Sequence, residues 1–119
     1  MPFEDQKTLL RDIHQSIALI EEFVRGMDLP TYRHDAKTQA AVERMVLIIS
    51  EAAVRLKDDA ERLCPDVPWR DIRGIGNWLR HGYDRIDAEV IWDTIRVDLL
   101  PLKVSVARAI SSGEPSAQG

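Results

Sequence analysis

From about Glu4 to Arg25, Leu9 or Leu10, Ile13, Ile17, Ile20 and Val24 recur every three or four residues. Asp5, Arg11, Asp12, Gln15, Glu21 and Glu22 fill the positions between them. That period predicts an amphipathic helix, with Gly26 placed to end it. Asp28-Leu29-Pro30-Thr31 marks a turn. Asp35 is a cap for a second helix that runs to about Leu63, with Ala41, Met45, Ile48, Ala52 and Leu56 on one stripe. The stretch from Met45 to Ile49 is apolar all round, which predicts a central helix.

Pro65-Asp66-Val67-Pro68 breaks that helix, and Pro68 suits a first helical turn. A third helix is predicted from Trp69 to Tyr83, burying Ile72, Ile75, Leu79 and Tyr83. Gly74 and Gly76 fall inside it. Each costs a helix about 1 kcal/mol against alanine, so either they permit close packing or the helix is locally irregular. Asp87 caps a fourth helix, Ala88 to about Val97. Asp98 caps a fifth, with Pro101 in its first turn and Leu99, Leu102, Val106 and Ile110 as its stripe. No strand alternation and no internal repeat is visible. The expectation is an all-α, up-and-down bundle of four to five helices over residues 1–110, followed by a disordered Ser-, Gly- and Pro-rich tail over 111–119.

At 119 residues, 45% of them apolar and 30% charged, the chain suits one globular domain. A net charge of −4 excludes a broad surface for coating nucleic acid, though not a local basic patch. The lone cysteine, Cys64, permits no internal disulfide and reads as a small apolar side chain. Met1-Pro2-Phe3-Glu4-Asp5 is not a signal peptide. No apolar run approaches the ~18 residues that cross a bilayer. The expected location is the cytoplasm.

The segment from Trp69 to Asp87 is the one that bears chemistry. On a helix, Arg73, Asn77, Arg80 or His81, and Asp84 lie on one side, away from the apolar stripe. Residues 70–85 hold four Arg against two Asp. These types suit metal-free RNA cleavage. Neutral imidazole takes a 2′-OH proton near neutral pH, guanidinium stabilises charge building on phosphate, and an amide orients either group. Two such helices meeting at a dimer axis would double the groups and make a cleft. The plainer reading, a solvated polar stripe, stays open on residue types alone. His14, His34 and Cys64 form no zinc set, and Gly74 and Gly76 lack the strand–turn–helix context of a dinucleotide loop. No metal or cofactor is expected.

Several pieces, in order, carry a resemblance. They are Ala41-Val42-Glu43-Arg44, Ile48-Ile49-Ser50-Glu51-Ala52-Ala53, Pro68-Trp69-Arg70-Asp71-Ile72, Gly74-Ile75-Gly76-Asn77, His81-Gly82-Tyr83, Asp87, Val90-Ile91-Trp92 and Leu99-Leu100-Pro101-Leu102. From about Leu9 to Ile110 the chain resembles the HepT toxins, a branch of the HEPN-domain ribonucleases. The resemblance implies a dimerising helical bundle with the motif helices of both subunits lining one cleft. It implies metal-independent endoribonuclease activity on mRNA or tRNA. It also implies a minimal nucleotidyltransferase of the MNT type as antitoxin. In that family the antitoxin attaches AMP to the tyrosine two residues after the motif histidine, here Tyr83. Asn77, His81 and Tyr83 match the motif, whereas Gly76 stands where the family places arginine. Arg73, one turn earlier, and Arg80, beside His81, are the candidates for that charge. The alternatives are a catalytically impaired fold that chiefly binds a nucleotidyltransferase, and an unrelated helical interaction domain.

Overall fold

The computed structural model describes residues 2–81 and 87–112. Among them there are seven helices and no strand: α1 Phe3–Phe23, α2 Leu29–Arg33, α3 Ala36–Leu56, α4 Asp58–Leu63, α5 Trp69–Arg80, α6 Ala88–Val97 and α7 Leu99–Ser112. The all-α expectation holds, with more helices than the four or five anticipated. The two additional ones are short, and each has a local cause.

α2 fits between the predicted turn and Asp35. The Asp28 carboxylate accepts from Thr31 N at 2.9 Å, with Pro30 in the first turn. Its Tyr32 is fully buried against Trp92 of α6, ring centroids 5.2 Å apart. α4 arises because the long second helix breaks at Lys57. The Lys57 backbone takes φ 53° and ψ −137°, a conformation that favours glycine. Asp35 caps α3 as expected, accepting from Thr38 N at 2.9 Å and Thr38 Oγ1 at 2.8 Å.

α3 is the central element, packed on α1 along one side and on α5 along another. Its buried row is Val42, Val46, Ile49, Ala53 and Leu56, one position on from the predicted Ala41, Met45 and Ile48, which are half-buried; packing on two sides widens the apolar face beyond one stripe. α1 contributes Leu9, Leu10, Ile13, Ile17 and Ile20 to the same core and also packs on α7. α6 closes against α7 and α2. Burying a large aliphatic side chain stabilises a fold by about 1.5–3 kcal/mol, so this single core is the main source of cohesion. Cys64 is buried too and donates to Ser105 O at 3.6 Å. α7 runs two residues beyond the predicted end at Ile110. No helix among the described residues is long and apolar enough to cross a membrane.

α5 has one principal packing partner, α3. Trp69 anchors its first turn, 1% exposed, with Nε1–H donating to Cys64 O at 2.9 Å. Ile72, Ile75 and Leu79 pack towards the core as predicted. Tyr83, the fourth residue of that predicted stripe, lies outside the described residues.

The left-handed backbone at Lys57 costs about 1–2 kcal/mol for a residue with a Cβ. Lys57→Gly is therefore expected to raise the melting temperature by about 4 °C. Thermal unfolding followed by circular dichroism checks this, and a lower melting temperature would contradict the strain argument.

Candidate functional site at the end of helix α5

With Ile72, Ile75 and Leu79 turned inward, helical spacing puts Arg70, Gly74, Asn77 and His81 on the outer face. All four are exposed. α5 ends at Arg80, three residues before the predicted end at Tyr83, and His81 is its C-cap. The His81 backbone N–H still donates to Asn77 O at 3.2 Å. The side chains repeat that link, with His81 Nε2 3.0 Å from Asn77 Oδ1. A carbonyl oxygen only accepts, so Nε2–H is the donor. The neutral ring then carries its lone pair on Nδ1. The structure thus brings together Asn77 and His81, one turn apart, on the exposed end of the helix.

Arg73 is placed differently. Its Nε–H donates to Ala53 O at 3.2 Å and its Nη2 to Lys57 O at 2.8 Å, both at the carbonyl end of α3. The same guanidinium grips Glu61 with two bonds, at 2.7 and 3.0 Å. That pairing holds the Glu61 carboxyl below the usual carboxylate range and raises the guanidinium's own pKa. The Arg73 guanidinium therefore faces α3 and α4, and not the Asn77–His81 pair.

Gly76 explains how α5 sits so close to α3. A Cβ built at Gly76 would collide with Cβ and Oγ of Ser50, and Ser50 Oγ–H donates to Arg73 O at 3.2 Å. Close packing is thus the right one of the two readings for this glycine. It also means that arginine cannot be restored at 76 without displacing Ser50. The same ideal Cβ position lies 3.4 Å from Arg80 Nη1. The Arg80 side chain therefore reaches back a full turn and lays its cation beside Gly76. A backbone offset of about 5.4 Å per turn is spanned by the length of the side chain. Gly74 has no such explanation, because nothing among the described residues lies within 4 Å of its would-be Cβ.

Ser50 and Glu61 are the supports of α5 that sequence reasoning missed. Ser50 carried a faint signal, a small polar residue inside an apolar run. Glu61 carried none, since its position depends on the break at Lys57. Tyr83, the candidate modification site, lies outside the described residues, as does Asp84.

The sequence profile of the family described as "Ribonuclease HepT-like" matches residues 13–109. A protein of Thermococcus cleftensis named "Probable ribonuclease HepT" is 40% identical over 97 residues, 82% of this chain and 88% of that protein. Two proteins of Methanocaldococcus jannaschii, both named as candidate RNases, are also similar. One is 35% identical over 95 residues, 80% of this chain and 78% of its own length. The other is 31% identical over 106 residues, 89% and 97% respectively. No solved structure matches the chain.

Two outcomes follow from the packing of α5. Gly76→Ala is expected to destabilise the fold by about 1–3 kcal/mol, the cost of overpacking, although alanine favours helix. Adding Ser50→Gly should recover part of that loss, less the ~1 kcal/mol that glycine costs inside α3; a stabilised Gly76→Ala single variant would contradict the contact. The second concerns pH. Glu61 has a lowered folded pKa, so its bond to Arg73 contributes stability above its ordinary value of 4.5 and loses it as pH falls below. Glu61→Gln should therefore melt below the wild type at neutral pH and match it in strong acid. A gap that persists unchanged in acid would show that the carboxylate is not the source.

Proposed function

The chain belongs to the HepT-like ribonuclease family, and from that premise we propose that it is the toxin of a HEPN/MNT toxin–antitoxin pair, a metal-independent endoribonuclease acting on mRNA or tRNA. The observation that carries the reading is the His81–Asn77 link at the exposed end of α5. Asn77 fixes the ring through Nε2 and leaves Nδ1 as the general base. Nδ1 takes the proton from a ribose 2′-OH, and that oxygen attacks the adjacent phosphorus. The P–O5′ bond breaks, leaving a 2′,3′-cyclic phosphate. Arg80 stabilises the charge that builds on the phosphate oxygens. Arg73 supports the site from behind by fixing α5 on α3.

The departing 5′-oxygen needs a proton as the 2′-OH loses one, yet this chain offers one histidine on that face. A homodimer meets both needs, with His81 of the partner subunit, as imidazolium, serving as the acid. Among the described residues α5 packs chiefly on α3, and the outer face that this leaves supports that arrangement. The antitoxin proposed for this chain is an MNT-type nucleotidyltransferase, with Tyr83 as the acceptor of AMP. No cofactor enters the reaction.

A second reading is favoured by Gly76: a fold that has lost cleavage with the motif arginine and chiefly binds the nucleotidyltransferase. The placement of Arg80 Nη1 beside Gly76 supports the first reading over it.

The test is incubation of the purified protein with total RNA and with tRNA in the presence of a chelator. Wild type should cut, and His81→Ala should fall by about 10²-fold or more. Arg80→Ala should fall by about 10²-fold, the usual loss for one charge-stabilising group. Equal activity in wild type and His81→Ala would defeat the enzymatic claim. A wild type without activity that co-purifies with a nucleotidyltransferase would establish the second reading.

A further inference from the structure

The domain's own core leaves one apolar stripe uncovered. Among the described residues five large apolar side chains are exposed, and four of them, Val90, Val97, Leu100 and Val104, lie on α6 and α7. The two helices adjoin through a single residue, Asp98, which keeps a helical backbone. Asp98 N donates to Thr94 O at 2.9 Å and Leu102 N to Asp98 O at 3.2 Å, so the helical turn carries across the junction. Steps of seven, three and four residues therefore set the four side chains on one face. The opposite face holds Ile95, Leu102 and Val106 in the core. A single exposed valine needs no explanation, but a line of four over about 21 Å of helix marks a surface that another protein covers.

We propose that this stripe pairs with the same stripe of a second copy of the chain, the two running antiparallel about a two-fold axis beside Leu100. Charge selects this occupant. Asp93 and Arg108 lie on the same face, one before Leu100 and one after it at nearly equal reach. Both are exposed, and among the described residues neither forms an ion pair within the chain. A two-fold contact is self-complementary, so position i meets j and j meets i. With the axis beside Leu100, Val97 lies over Val104 of the partner subunit, and Asp93 lies over Arg108 of the partner subunit. Each of these pairs occurs twice. A parallel pairing would instead set like charges against each other at both ends. The principal neighbours of α6 and α7, apart from each other, are α2 and α1 and not α5. This contact is therefore additional to the pairing proposed at α5, and it holds whether or not the chain cuts RNA.

The test is the mass of the full chain by sedimentation equilibrium over a wide range of concentration. Wild type should assemble. Leu100→Asp should lower the mass of the assembly without lowering the melting temperature, because the side chain it replaces is exposed. The product is a dimer if α5 pairs as proposed and a monomer if it does not, so the two contacts are read apart. Asp93→Arg and Arg108→Asp should each weaken assembly about tenfold by placing like charges together, and the double exchange should restore it. Under oxidation Leu100→Cys should link to its own copy, since it lies at the axis. Val54→Cys, in place of the exposed valine off the stripe, should not. Cys64 is buried and stays out of that reaction. A wild type that is monomeric at every concentration overturns the pairing, as does an assembly that Leu100→Asp leaves intact. A double exchange that recovers nothing, or equal linking through positions 100 and 54, overturns it too. So does a monomer that assembles only with a co-expressed nucleotidyltransferase and loses that ability in Leu100→Asp, which would assign the stripe to the other protein.

Discussion

The Arg73 guanidinium holds the functional helix in place. α5 has α3 as its principal neighbour, so its pose depends on that one interface. Arg73 supplies the polar ones. It caps the carbonyls of Ala53 and Lys57 at the end of α3 and ties Glu61 of α4 to the same point. A cation at a helix C-terminus is favourable by about 0.3–1 kcal/mol at exposed sites, and by more where it is partly buried. One side chain therefore joins three helices at the point where α3 breaks. The contact of Gly76 with Ser50 sets how near the two long helices come, and Trp69 fixes where α5 begins.

The far end of α5 inherits its order from that clamp. Asn77 and His81 are one turn apart and joined through both backbone and side chain, so the imidazole is oriented by its own helix. Catalytic groups on a rigid element are held more closely than groups on a loop. The absence of a side chain at Gly76 serves two purposes at once. It lets α5 approach Ser50, and it leaves the space beside which the Arg80 guanidinium lies. A cation is thus found near the motif position although the residue there is glycine.

Much of this was legible in the residues. The periods of α1, α3, α5 and α7 are written in Ile and Leu spacings, and Asp28, Asp35 and Asp87 stand at real turns or caps. The inward face of α5 and the outward place of Asn77 and His81 followed from spacing alone. Four things did not. α2 is five residues long, too short to show a period. The break at Lys57 falls on a residue that does not favour it, because Arg73 bonds the Lys57 carbonyl from another helix. The pairing of Arg73 with Glu61 is likewise tertiary, and so the sequence offered Arg73 as a candidate for the motif charge with no sign of its partner. Gly74 and Gly76 were alike in sequence and became different only when Ser50 was found opposite one of them.

The central claim is that an imidazole oriented by Asn77 draws the proton from a ribose hydroxyl, so that the RNA cuts itself. The chemical identity of the fragment ends tests this most directly. End-labelled RNA cut by the protein should carry a 2′,3′-cyclic phosphate on one fragment and a 5′-hydroxyl on the other. Fragments ending in a 3′-hydroxyl and a 5′-phosphate would contradict the account, because water would then have attacked in place of the 2′ oxygen.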